Sequence, residues 1–243
     1  SSNWIENFFK ENYDKLLLDN LEKFIYDMIS KLNLILTEKY SDKLGGTTLT
    51  ILIIRNKKDI WCINLGDSDC ILFLNDKIQK LNKNHSPNNI EERIRIKNKD
   101  VRFVYAPTNN NNINDYFILK DNKWEINELK YNYYFKNIQK EPALYLKYDI
   151  NYLAMTRSLG DFELKKVGVS SIPSISKIDF PSQKFFILLA SDGIWDCWKY
   201  KELEEIFRDK IKSDNFRHLH SQRSKELFGS NVDDAILYFI NIL

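Results

Sequence analysis

Phe185-Phe186-Ile187-Leu188-Leu189-Ala190 runs directly into Ser191-Asp192-Gly193-Ile194-Trp195-Asp196. Six apolar residues in succession describe a strand buried on both faces. Two carboxylates four positions apart leave its end, with Gly193 between them to permit a sharp backbone turn. Carboxylates at the mouth of a buried strand cost free energy unless a cation neutralises them. Hard divalent ions such as Mg²⁺ and Mn²⁺ take oxygen ligands. Taken alone, the segment reads more simply as a surface Asp-Gly turn, and companions elsewhere in the chain shift the balance.

Working outward, Leu203, Ile206, Phe207 and Ile211 mark an amphipathic helix after this strand, and a second helix is expected from Arg217 to Phe228. Ala235 to Leu243 is almost wholly apolar and reads as a central strand. Upstream, Leu21, Phe24, Ile25, Met28, Ile29, Leu32 and Ile35 fall on one helical face, and Phe9, Tyr13, Leu16 and Leu17 suggest a shorter helix, with a break at Asp19-Asn20. From Thr47 the period changes. Thr47–Arg55, Ile60–Leu65 and Cys70–Leu74 are β-branched and aliphatic, and with turns at 56–58 and 75–76 they predict an antiparallel meander. A short helix is expected over Ile90–Asn98 and a polar loop over Thr108–Asn114, then strands at Tyr116–Leu119, Lys123–Asn127 and Tyr131–Phe135 as an inserted hairpin or flap, about 103–150. Strands and helices in this order predict an α+β layered domain rather than alternating βαβ units.

The 243 residues suffice for one sizeable core, and 43% hydrophobic with 14% aromatic residues describe a globular protein. Lys+Arg at 36 against Asp+Glu at 34 leave a formal charge of +2, which gives no general attraction to nucleic acid or an anionic membrane. No apolar run approaches a membrane span. Cys62, Cys70 and Cys197 are odd in number and form no Cys-x-x-Cys pair, so the expected setting is reducing and intracellular, cytoplasmic or nuclear. Leu203, not arginine, lies six positions after Cys197, which removes the cysteine-nucleophile signature of phosphate chemistry.

Glycine is scarce at 7, yet Gly45, Gly46, Gly66, Gly160, Gly193 and Gly229 all sit in short motif-like blocks. Gly66-Asp67-Ser68, Gly160-Asp161-Phe162 and Asp192-Gly193 are acidic turns, and Asp233-Asp234 precede the closing apolar segment. Asp67, Asp192, Asp196 and Asp233 therefore stand at strand ends, where neighbouring strands of one sheet could converge their carboxylates on a metal.

Taken in order, the blocks resemble the metal-dependent (PPM-type) protein phosphatases, the type 2C serine/threonine phosphatases. Gly45-Gly46-Thr47-Thr48 is similar to the family's Gly-Ser/Thr-Thr strand start. Asn64-Leu65-Gly66-Asp67-Ser68 is similar to N-x-G-D-S-R, with Asp69 in place of arginine. Asn84-His85-Ser86-Pro87, with Glu91, Glu92, Arg93 and Ile94, resembles D-H-x-P…E…R-I, with Asn84 for aspartate. Leu153 to Asp161 resembles L-A-x-T/S-R-x-x-G-D, Ile187 to Asp196 resembles I-L-A-S-D-G-x-W-D, and Asp233-Asp234 stand where the family has D-N.

The resemblance, from about Leu44 to Leu243, implies a four-layer α-β-β-α sandwich of two antiparallel sheets flanked by helices, in a single domain over 1–243. It implies a binuclear Mg²⁺/Mn²⁺ centre with a further, looser ion. Asp192 and Asp233 would hold the core pair, and Asp67, Asp192 and Asp196 would surround the further site. The implied activity is hydrolysis of phosphoserine and phosphothreonine on protein substrates by metal-activated water, with no catalytic protein nucleophile. The protein would act as a monomer. His85 is expected to be structural, and His218 and His220 to be surface histidines.

The family's D-G-H-G-G block and its upstream phosphate-binding arginine are not found. In family order both would precede residues 3–40, so the chain is expected to begin just after them, with the N-terminal strands missing. Loss of the bridging aspartate in that block implies weak metal binding. The alternative is a catalytically inactive, phosphatase-like scaffold or regulatory binding protein.

Overall fold

The computed structural model describes residues 2–17, 20–40, 45–55, 57–75, 77–96, 102–105, 117–120, 123–126, 144–148, 151–229 and 233–242. These divide into two compact units, each built from two stretches of chain. The first is Ser1–Leu49 with Asn84–Pro173, and the second is Thr50–Lys83 with Ser174–Leu243.

The first unit opens with α1 (Ser2–Glu11), a 3-10 turn (Tyr13–Leu17) and α2 (Leu21–Tyr40), then the short β1 (Gly46–Thr47). Leu21, Ile25, Met28, Ile29 and Leu32 are the buried positions of α2, the three- and four-residue stripe that the sequence calls for. Phe8 of α1 stacks on Phe24 at 5.5 Å and joins the two helices. Among the described residues, no helix is long and apolar enough to cross a membrane.

The chain then enters the second unit as β2 (Leu49–Arg55), β3 (Asp59–Leu65), β4 (Asp69–Leu74) and β5 (Lys77–Lys80). Every residue of β3 is buried. Back in the first unit come α3 (Ile90–Arg95), β6 (Arg102–Tyr105), β7 (Phe117–Lys120), β8 (Lys123–Ile126), β9 (Leu144–Tyr148), β10 (Asn151–Leu153), β11 (Leu159–Gly160) and α4 (Phe162–Lys165). β7 and β8 form the expected hairpin, and β6, β9 and β10 a three-stranded sheet that the sequence reading did not foresee. The loop at 108–114 and the strand at 131–135 lie outside the described residues. α3 stops at Arg95, short of the expected Asn98, capped at its start by the Asn89 side chain, which accepts from the Glu91 N–H.

The second unit closes with β12 (Ser174–Asp179), β13 (Phe185–Ala190), α5 (Asp192–Trp195), α6 (Tyr200–Arg208), α7 (Lys210–Asp214), α8 (Phe216–Phe228) and β14 (Leu237–Ile242). Its strands form two sheets, ordered β12-β3-β2 and β14-β13-β4-β5. Ile60, Cys62, Cys70, Leu72, Phe185 and Ile187 fill the space between them. On the opposite face of the four-stranded sheet, Ile71, Phe73, Phe186 and Leu188 pack against Ile194, Trp198, Leu203, Ile206, Phe207 and Phe216. Sheet, sheet and helices are thus three of the expected layers, within an α+β fold of antiparallel sheets and helices.

Two expectations need correction. β2, β3 and β4 are not one meander: β3 and β4 belong to different sheets, and residues 66–68 arch from one sheet to the other. A hairpin would have left one face of each strand in water, whereas apolar residues on both faces of β3 and β4 find cover only in a sandwich. β14, read as central, ends the order of its sheet, with Tyr238 62% exposed. Among the described strands it pairs on one side only.

Candidate metal centre

The register of the four-stranded sheet decides which turns meet. β4 starts at Asp69 opposite Ala190, the last residue of β13. Ala190 in turn faces Leu237, the first residue of β14. The arch before β4, the turn after β13 and the segment leading into β14 therefore leave the sheet at one end. Asp67, Asp192, Asp196 and Asp233 lie on these three connections.

Buried asparagines shape the arch. Asn64, wholly buried, donates to the carbonyls of Gly66 and Lys83, each at 2.9 Å, and accepts from the Thr50 hydroxyl at 2.7 Å. Asn82 accepts from the Cys70 N–H at 2.8 Å and donates to the Ser68 carbonyl at 2.9 Å. Gly66 has φ 121, a conformation other residues rarely adopt, so the arch needs glycine there.

The β13 turn is fixed as firmly. Ser191 donates its N–H to the Ile236 carbonyl at 3.1 Å and its hydroxyl accepts from the Ile236 N–H at 3.1 Å, so turn and β14 approach are laced together. A Cβ on Gly193 would sit 2.5 Å from the Asp234 carbonyl oxygen. Only a residue without a side chain lets Asp192 come this close to the Asp233-Asp234 backbone. The Gly193 N–H donates to Asp192 Oδ1 at 3.0 Å, and Trp195 Nε1 donates to the Ala190 carbonyl at 2.8 Å.

Electrostatics register this crowding. Burial first, then the charges of Asp192, Asp69 and Asp196, raise the Asp67 carboxyl to about 6. Burial, then Asp233 and Asp196, also push Asp192 upward. A set of anionic oxygens that disfavour one another's charge is the donor chemistry of a hard divalent cation. The residues fit such an ion in kind and charge. They do not form a closed cage: among the described residues, no three His, Cys, Asp or Glu side chains are grouped so as to hold a metal. Asp196 and Asp233 are exposed.

His85 is buried in the first unit, where its carbonyl accepts from the Thr156 N–H at 2.7 Å and hydroxyl at 3.0 Å. His218 is exposed. His220 is less of a surface residue than expected, since its Nδ1 accepts from Trp198 Nε1 at 3.1 Å and burial lowers its pKa. Sequence reasoning passed over two carboxylates. Glu92 accepts from Arg157 Nη2 at 2.6 Å, the Thr156 hydroxyl at 2.7 Å and Arg95 Nη2 at 2.9 Å, which ties the 84–94 and 153–161 blocks together. Its spacing of three to Arg95 on a helix was the available signal. Asp69, noted only as a replacement for arginine, is 5% exposed and pairs with Lys80 Nζ at 2.5 Å.

An α+β sandwich with acidic turns gathered at one sheet edge is the class of protein these features define. Residues 1–236 match the family described as Protein phosphatase 2C, and the chain belongs to that family. It is 25% identical over 183 residues to "Probable protein phosphatase 2C 21" of Arabidopsis thaliana, covering 72% of this chain and 40% of that protein. It is 27% identical over 215 residues to "Protein phosphatase 1L" of Bos taurus, covering 85% and 47%. The chain thus spans less than half the length of these two relatives. The fold is similar to that of the serine-threonine phosphatase 2C from Toxoplasma gondii, with a TM-score of 0.63 at 18% identity, covering 99% of this chain and 75% of that one. It is also similar to a C. elegans sex determining protein, with a TM-score of 0.59 at 19% identity, covering 92% and 47%.

Proposed function

We propose that this protein is a metal-dependent protein serine/threonine phosphatase in which Asp192 and Asp233, with Asp67 and Asp196, hold Mg²⁺ or Mn²⁺. The observation that carries this reading is the gathering of three acidic turns at one sheet end, where burial and mutual repulsion raise the Asp67 and Asp192 carboxyls. When bound, the cations supply a water activated at neutral pH and charge to clamp phosphoryl oxygens. The protein's own part is positional. Asn64 and Asn82 fix the arch bearing Asp67, Ser191 laces the Asp192 turn to the β14 approach, and the Gly193 N–H orients Asp192. The substrate is a phosphorylated protein, and no side-chain nucleophile takes part.

A second reading is a phosphatase-like scaffold that binds partners without turnover, favoured by the absence of a closed metal-holding group among the described residues. The two separate on phosphate release from phosphoserine and phosphothreonine peptides with millimolar Mn²⁺. The phosphatase gives turnover that Asp192→Asn abolishes. No turnover from folded, Mn²⁺-loaded protein, or an Asp192→Asn rate equal to that of the native chain, removes the enzyme reading.

A further inference from the structure

Beside the acidic turns stands Asp69, two positions after Asp67. Its carboxylate lies at the start of β4, buried. Tyr200, the first residue of α6, donates its hydroxyl to Asp69 Oδ2 at 2.6 Å, and Lys80 of β5 pairs with Oδ1 at 2.5 Å. The Tyr200 ring meets Trp195 edge-on, centroids 5.4 Å apart and planes at 86°. Trp195 donates through Nε1 to the Ala190 carbonyl, and Ala190 lies opposite Asp69 in the sheet. The contacts close a ring, from Asp69 to Tyr200, Trp195 and Ala190 and back to Asp69. Residues 191–196, carrying Asp192 and Asp196, are spanned by it.

We infer that Asp69, Tyr200 and Lys80 form a clasp that holds the Asp67 arch and the Asp192–Asp196 turn in the relative position needed to take a divalent cation. The inference rests on the metal-centre reading above. Asp69 is a positioning residue: it acts through the two turns and is not itself a ligand. Lys80 offsets part of the negative charge that Asp69 brings beside Asp67. Groups that orient metal ligands without touching the ion change affinity strongly when lost, and the clasp belongs to that kind.

Tyr200→Phe removes one hydroxyl and leaves the ring against Trp195. In calorimetric titration of the full chain with MnCl₂, it is expected to weaken Mn²⁺ binding roughly tenfold. Asp69→Ala has at least as large an effect, while Asp69→Asn, which keeps an oxygen acceptor for Tyr200, recovers affinity toward the native value. Near-UV circular dichroism and thermal melts report folding separately, and Tyr200→Phe carries the test should Asp69→Ala not fold. A lowered melting temperature with an unchanged Mn²⁺ dissociation constant overturns the clasp alone. A native chain that binds no Mn²⁺ overturns the metal-centre reading, and the clasp with it.

Discussion

Glu92 in the first unit and Asp67 in the second are both carboxylates withdrawn from water, and they differ in what was withdrawn with them. Burial would raise the Glu92 carboxyl, but hydrogen bonds from Arg157, Thr156 and Arg95 outweigh it and hold the group at about 2. Asp67 has Asp192, Asp69 and Asp196 for charged company and rises to about 6. A carboxylate that serves the fold brings its cations along in the sequence. Asp67 stands where burial and neighbouring carboxylates both disfavour its charge.

Removing Glu92 is the severest way to break this comparison. Glu92→Ala leaves Arg157 and Arg95 without their buried partner and is expected to cost about 3–5 kcal/mol in urea unfolding. Acid gives the next largest effect. Because folding depresses the Glu92 carboxyl from 4.5 to about 2, its contribution is present at neutral pH and is lost as pH falls through that interval. The amount at stake is about 3 kcal/mol, and the pH dependence of stability should flatten in Glu92→Gln. Gly193→Ala comes third. Its Cβ collides with the Asp234 carbonyl, and relief by backbone movement should cost about 1–3 kcal/mol, measured by thermal melting. Smallest in stability is Asp192→Asn. By easing repulsion it should shift unfolding by less than about 1 kcal/mol, upward if at all, while abolishing the response to Mn²⁺.

Much of this was legible in the sequence. The α2 stripe, β13 with its acidic turn, and the order of the motif blocks all follow from local periodicity and short-range spacing. β12 escaped because Ser-Ile-Ser-Lys-Ile-Asp carries only two apolar residues and a half-buried pattern, so its membership of a sheet depends on pairing with the wholly buried β3. The meander expected over 47–74 breaks at Gly66, because an arch between sheets and a turn within one look alike in sequence, and only packing on both faces of β3 and β4 tells them apart. At the candidate site the four aspartates could be named, since each sits in a glycine-marked block. Asp69 could not be given a role, because Lys80 and Tyr200 reach it from 11 and 131 positions away. Long-range polar contacts leave no periodic trace.

The most direct measurement is the melting temperature of the native chain and of Asp192→Asn as MnCl₂ is raised into the millimolar range at neutral pH. The metal-centre reading predicts a rising melting temperature for the native chain and a flat response for the variant. Superimposable responses of the two proteins, or none from either, would contradict it.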